Sequence, residues 1–233
     1  MLAVNNVATI IVTIASAIIN HVYEKGLSTQ IGDVYVATGD KEIFEEVINN
    51  NGKSILTNKK HLTGTDRIFE AFEQLKDKNI DYIINLQGDE PLIDTNDIIR
   101  LNNLATNNNC DITTLACKLQ KQNIENQNVV KVICDKNIKN KEIGLAKNFT
   151  RSLKNINSRN IFHHIGIYIY KVSILKKFVN LKPTLNETNF RLEQLRALDN
   201  NIKINVVFSN FVPIGVDTNE DYIEIKNLME YKS

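Results

Sequence analysis

No lysine or arginine precedes Lys25, so the apolar stretch Val7 to Ile19 (VATIIVTIASAII) has no basic n-region and does not read as a secretory leader. It also falls short of the ~20 apolar residues that span a bilayer, which assigns it to the protein core. Net charge is nearly absent: 28 basic against 27 acidic residues leave a formal +1. That balance excludes a nucleic-acid or membrane-surface protein that binds by bulk charge. Cys110, Cys117 and Cys134 show neither C-x-x-C spacing nor the even count of a disulfide framework. They are expected as free thiols in a reducing, cytoplasmic setting. No internal repeat or low-complexity linker divides the 233 residues, a length that buries a substantial core as one domain with a small lobe.

What is present is an alternation of strands and helices. Val7 to Ile14 is β-branched and reads as a strand, followed by a helix from Ala15 to Leu27 with Ile18, Ile19, Val22 and Tyr23 at helical spacing. Asp33 to Thr38 and Lys53 to Leu56 are further strands around a helix from Glu42 to Asn50, and a helix runs from Asp66 to Leu75. This order predicts an α/β fold with a mainly parallel sheet flanked by helices on both faces. After a helix from Asp97 to Leu104 the pattern changes to longer strands at Asp111 to Leu119, Val129 to Cys134 and His163 to Tyr170. A helix from Asn186 to Leu198, a strand from Lys203 to Phe208 and a last helix from Glu220 to Tyr231 complete the reading. The polar stretch Lys136 to Asn160 reads as a flexible loop.

One segment has a sharper meaning. The apolar run Tyr82 to Leu86 breaks abruptly into Gln87, Gly88, Asp89, Glu90 and Pro91, which cannot belong to a buried strand. In an open α/β sheet ligands sit at the carboxyl ends of strands, so Asp89 is placed to hold a divalent cation against a phosphate, and Gly88 admits close backbone approach. An ordinary strand-to-helix turn with a solvated acidic pair fits the same residues. Asp217, in Gly215-Val-Asp-Thr218, is a second strand-end carboxylate, and the two together make an oxygen site suited to Mg²⁺. Thr63-Gly-Thr-Asp-Arg67 offers hydroxyls and one arginine ahead of a helix, either as ligand contacts or as a helix cap. Strand alternation puts His164, Gly166, Tyr168 and Tyr170 on one face, and the lack of cysteine or carboxylate spacing discounts zinc there. In Arg191-Leu-Glu-Gln-Leu-Arg196, Leu192 and Leu195 face the core. Glu193, Gln194 and Arg196 project elsewhere, which alone reads as a solvated helix face.

Taken in order, VYVATGDKEI, GKSILTNKKHLTGTDR, IINLQGDEPLI, NQNVVKVICD, HHIGIYIYK, FVNLKP, RLEQLRAL and PIGVDTNEDY resemble the CMP-Kdo synthetases, the 3-deoxy-manno-octulosonate cytidylyltransferases, over roughly residues 17 to 225. The resemblance implies a homodimeric nucleotidyltransferase of the nucleotide-diphospho-sugar transferase type, with residues of about 111 to 200 forming much of a sugar-binding and dimerisation lobe. It implies transfer of CMP from CTP to the anomeric hydroxyl of 3-deoxy-D-manno-octulosonate (Kdo), with release of pyrophosphate, for lipopolysaccharide synthesis. By the same resemblance Asp89 and Asp217 match catalytic Mg²⁺ ligands, Gln87, His164, Tyr168, Glu193 and Gln194 the sugar site, and Thr65, Arg67 and Gly88 the nucleotide side.

The chain departs from the family pattern at three places. The family's basic P-A-R-x-x-S-x-R-L-x-x-K-P loop, which holds the triphosphate, is missing between Ser16 and Ala17; V-A-T-D becomes Val36-Ala-Thr-Gly39; and Y-F-S-R retains only Arg151. Two competing readings follow: a catalytically silent relative acting in binding or assembly, and a cytidylyltransferase for another acidic sugar.

Overall fold

The computed structural model describes residues 8–13, 19–61, 63–76, 79–87, 92–139, 143–154 and 156–211. Strand β1 (Ala8–Thr13) is the expected core segment: Ala8, Ile10 and Val12 enter the apolar core on one face and Ile11 enters the other. Burial on both faces explains why the run lacks polar alternation. Helix α1 (Ile19–Ser28) leads to β2 (Val34–Thr38), α2 (Lys41–Asn49) and β3 (Ser54–Leu56). Helix α3 (Gly64–Gln74) begins two residues earlier than the sequence suggested, because Thr63 rather than Thr65 supplies the cap, its Oγ1 accepting from Asp66 N at 3.1 Å. Strand β4 (Tyr82–Gln87) and α4 (Thr95–Asn107) flank the acidic loop, and Asp94 caps α4 by accepting from Asn96 N at 2.9 Å.

The second half runs β5 (Ile112–Lys118), β6 (Lys131–Cys134), β7 (Ile143–Thr150), β8 (Ile161–Lys171), α5 (Val172–Val179), α6 (Leu185–Phe190), α7 (Gln194–Asp199) and β9 (Ile204–Phe208). Two expectations are corrected here. The stretch 136–160 is not simply a loop, because β7 crosses it, hydrogen-bonded to β6 on one side and to β9 on the other. The helix expected from Asn186 to Leu198 is two short helices, broken where Arg191 takes a left-handed conformation at φ 52°. The capping box of Thr184 and Glu187 starts α6, and the turn at Arg191 re-aims the chain so that Glu193 and Arg196 face inward.

Among the described residues nine strands form one sheet in the order β3-β2-β1-β4-β8-β5-β9-β7-β6. The first four are parallel, as expected, so Thr13, Thr38, Leu56 and Gln87 end at one edge. Beyond them β8 runs antiparallel to both β4 and β5. Because β6 also pairs with β8, strands β8, β5, β9, β7 and β6 close into a ring of hydrogen-bonded neighbours, which forms the smaller lobe. Its interior holds Val132, Phe149, Phe162, Phe208 and other apolar side chains continuous with the core beneath α3 and α5. Helices α1 and α4 cover the opposite face. Cys110, Cys117 and Cys134 are buried and form no disulfide, and burial pushes the Cys134 thiol up to about 12, which removes it from thiolate chemistry. Among the described residues no helix is long and apolar enough to cross a membrane.

Candidate active site

Strand β8 has β5 along one edge for almost its whole length. Along the other it pairs with β4 through residues 168–171 and with β6 through residues 161–163. Neither of those two ladders includes residues 164–167, and the β5 register shifts there as well, with Thr114 opposite Tyr168 but Leu115 opposite Ile165. Two extra residues bulge out of β8 at the point where β4 ends. An insertion of two keeps the side-chain parity, so His164 and Tyr168 still share a face as alternation predicted. Their rings lie 5.3 Å apart, and Tyr168 stacks on Tyr170 at 5.8 Å.

Gln87, at the carboxyl end of β4, lies over the bulge. A Cβ at residue 166 would stand 2.7 Å from Gln87 Oε1, so Gly166 is required for the amide to lie where it does. His164 is gripped on its other side by Phe149, edge-on at 5.3 Å. Burial, reinforced by neighbouring His163, pushes the His164 pKa down to about 3, which keeps the ring neutral at physiological pH.

A second cluster closes the same cleft from α3 and α7. Thr65 Oγ1 donates to Glu193 Oε2 at 2.7 Å and lies 3.5 Å from the Tyr170 hydroxyl. Thr65 and Glu193, assigned by the resemblance to different substrates, thus touch. Desolvation raises the Glu193 pKa against the lowering effect of the threonine hydrogen bonds and Arg196. Its Oε1 is buried without a hydrogen-bond partner among the described residues. Gln194 opens α7 half-buried beside it.

The solvated-face reading of this segment is overturned by Arg196, which is 5% exposed. Its Nε donates to Glu187 Oε2 at 2.8 Å, its Nη2 also bonds that carboxylate and lies 3.6 Å from Glu193 Oε1, and the guanidinium sits 4.9 Å over the Phe178 ring. A bidentate, ring-stacked arginine thereby locks α7 against α5 and α6.

Arg67 stands apart, near the end of β2. Its Nη1 donates to Thr57 Oγ1 at 2.6 Å, and a Cβ at residue 39 would come within 2.9 Å of that nitrogen and of the Lys59 Cα. The glycine that replaces aspartate in V-A-T-G therefore leaves space that Arg67 and Lys59 occupy. Arg151 is held by the carbonyls of Gln127 and Asn128 at 3.1 and 3.2 Å, at the far side of the cleft.

Gly88, Asp89 and Asp217 lie outside the described residues, as does the last expected helix. Among the described residues α4 is tied to the end of β9. Asp97, in the first turn of α4, accepts from Ser209 Oγ and from Arg100 Nη2 at 2.6 Å, and Arg100 Nη2 also reaches the Phe208 carbonyl. Between β1 and α1 the five residues Ile14 to Ile18 also lie outside the described ones and contain no lysine or arginine.

Sequence reasoning missed Thr114, Phe149 and the anchoring role of Arg196. Thr114 is β-branched inside an apolar strand and carried no signal. Arg196 sits one turn from Leu192, and only the break at Arg191 turns it inward.

The mixed sheet with flanking helices is that of the nucleotide-diphospho-sugar transferase fold, as the likeness to solved structures shows. The fold of a UDP-glucose pyrophosphorylase in complex with UDP-glucose matches it with a TM-score of 0.72 at 14% identity, covering 97% of this chain and 100% of that one. The chain belongs to the cytidylyltransferase family, whose model matches residues 14–204, and within it to the 3-deoxy-manno-octulosonate cytidylyltransferases. It is 43% identical to the enzyme of that name from Thermodesulfovibrio yellowstonii over 221 aligned positions, covering 88% of this chain and 84% of the relative. To that from Rickettsia canadensis it is 38% identical, covering 88% and 82%. The solved structure of a CMP:2-keto-3-deoxy-manno-octonic acid synthetase complexed with CTP superposes with a TM-score of 0.86 at 28% identity, over 97% of this chain and 99% of that one.

Proposed function

We propose that this protein transfers CMP from CTP to the anomeric hydroxyl of Kdo. The hydroxyl oxygen forms a bond to the α-phosphorus, the bond to the β-phosphate oxygen breaks, pyrophosphate leaves, and the hydroxyl proton is lost to solvent. The observation that carries the reading is the cleft beside the end of β4. There Gln87, neutral His164, Tyr168 and Glu193, whose Oε1 makes no hydrogen bond among the described residues and lies 3.6 Å from Arg196 Nη2, offer hydrogen-bonding groups, as a polyhydroxylated sugar requires. Gln194 completes the sugar side, and Thr65 fixes Glu193 from α3.

The nucleotide belongs at the carboxyl ends of β1, β2 and β4, where Arg67 and Lys59 are the nearby basic groups and Gly88 permits close approach. Asp89 and Asp217 are the carboxylates this reading gives to Mg²⁺. Their donor chemistry is right for a hard cation. When bound, Mg²⁺ neutralises charge developing on the phosphates. The reading extends to a homodimeric, cytoplasmic enzyme supplying activated Kdo for lipopolysaccharide.

A second reading is favoured by one observation: the connection between β1 and α1 has no basic residue, so a silent relative would retain the sugar cleft without turnover. The test is pyrophosphate release from CTP with Kdo and Mg²⁺ in the wild type and in Asp89→Ala and Asp217→Ala. Loss of release in both variants with folding intact supports the assignment. Undiminished release in either removes that carboxylate from the mechanism.

A further inference from the structure

Thr114 lies in the middle of β5 and is wholly buried, yet its hydroxyl faces three polar atoms of β8. Oγ1 is 2.6 Å from the Ile167 carbonyl oxygen, 3.2 Å from the Ile165 carbonyl oxygen and 3.0 Å from His164 Nε2. The threonine has one proton to give, and the two carbonyls can only accept. Whichever carbonyl takes that proton, an Oγ1 lone pair is what remains for the imidazole. Contact at 3.0 Å is then attractive only if His164 Nε2 carries the hydrogen. In a neutral ring Nδ1 is then unprotonated, a hydrogen-bond acceptor and not a donor.

We propose that Thr114 is the positioning residue of the sugar cleft, fixing His164 as the Nε2–H tautomer and clamping the β8 bulge so that His164 Nδ1 is presented as an acceptor for a substrate hydroxyl. The selectivity follows from the same proton count. A carboxylate or phosphate oxygen has no hydrogen to offer an unprotonated nitrogen, so His164 reads a hydroxyl of the sugar and leaves the sugar's carboxylate to other groups. The same hydroxyl gives a hydrogen bond within the bulge where β8 lacks a ladder to β4 or β6. Thr114 thereby couples backbone shape to ring orientation: Gly166, directly between the two carbonyls it faces, is the residue that leaves room for Gln87. Serine can perform both tasks. Valine, of the same shape, can perform neither.

The tautomer part stands on geometry alone, whereas the hydroxyl recognition rests on the Kdo reading, and the experiment separates them. Nitrogen NMR of the full chain labelled with ¹⁵N-histidine reports the tautomer without turnover. His164 is expected with a protonated Nε2 and a bare Nδ1, unchanged in Thr114→Ser and shifted toward a tautomer mixture in Thr114→Val. A protonated Nδ1 in the wild type overturns the proposal, whatever the activity. In the CTP and Kdo assay, Thr114→Val should raise KM for Kdo about tenfold, the cost of about one hydrogen bond, while KM for CTP stays within about twofold and Thr114→Ser restores the wild-type value. Equal loss for both substrates in Thr114→Val with no rescue by serine would make Thr114 a merely structural residue and refute the positioning role. If the wild type neither turns over nor binds Kdo while His164 has the expected tautomer, the Kdo reading fails and the proton arrangement stands.

Discussion

Replacing Gly166 with alanine adds one carbon and, net, two hydrogens at the point where β8 bulges beneath Gln87. The new Cβ would stand 2.7 Å from Gln87 Oε1 and 3.3 Å from Gln87 Cδ, with only Gln87 atoms among its nearest neighbours. Gly166 has no positive φ, so alanine meets no backbone strain. What must yield is the far end of a flexible side chain, and an off-rotamer glutamine costs about 0.5–1.5 kcal/mol. Global stability should therefore stay within about 1.5 kcal/mol of wild type. The functional effect is more selective. If the Gln87 amide contacts the sugar, moving it forfeits one neutral hydrogen bond worth about 0.5–1.5 kcal/mol, or roughly two- to twelvefold in affinity. Steady-state kinetics of Gly166→Ala with CTP and Kdo varied in turn, alongside urea unfolding, measures both quantities. Raised KM for Kdo at nearly constant KM for CTP and unchanged unfolding is the expected result. Unchanged Kdo kinetics would place Gln87 outside the sugar site, and a large loss of stability would show that the added methyl strikes something other than a mobile amide.

Arg196→Ala should cost about 3 kcal/mol in urea unfolding, because it leaves the Glu187 carboxylate, its side chain only 12% exposed, without its partner and removes the buried guanidinium from the Phe178 ring. A cost under about 1 kcal/mol would return Arg196 to a solvated surface. Desolvation raises the folded-state pKa of Glu193 above the ordinary carboxylate range. The linked stability is thus fully present below that range and is lost as pH rises through the folded pKa. Glu193→Gln should accordingly gain on wild type in unfolding free energy as pH increases from acid toward neutrality, and a pH-independent difference would contradict the assigned shift. Inserting a loop with arginine and lysine between Ser16 and Ala17 should lower KM for CTP steeply, since each charge-assisted contact to phosphate contributes about 1.5–3 kcal/mol. An unchanged KM would assign the triphosphate to groups already present, with Arg67 the first to test.

The strand framework was legible because burial on both faces leaves continuous apolar runs, as in β1 and β4, and caps such as Asp40, Thr63 and Asp94 mark the helix starts within a residue or two. Strand β7 was not, since IGLAKNFT exposes Lys147 and Asn148 and is ordered by pairing with β6 and β9, which are distant in sequence. The split of α6 from α7 was hidden for a different reason: an arginine, not glycine, takes the left-handed turn. Within the cleft, alternation along β8 correctly paired His164 with Tyr168 because a two-residue bulge preserves parity. The contacts that hold these groups are long-range. Thr65 reaches Glu193 across 128 residues and Thr114 reaches His164 across 50. No local pattern encodes such pairs, which arise only when the smaller lobe closes over the end of β4.

The most direct test of the account is to incubate the unmodified protein with CTP, Kdo and Mg²⁺ and follow pyrophosphate and CMP-Kdo together. The account predicts that pyrophosphate appears only when Kdo is present and matches CMP-Kdo one for one, with a high KM for CTP reflecting the sparse basic groups at the nucleotide side. Absence of both products at saturating substrate, from protein shown by titration to bind Kdo, would contradict transfer and leave a sugar-binding relative.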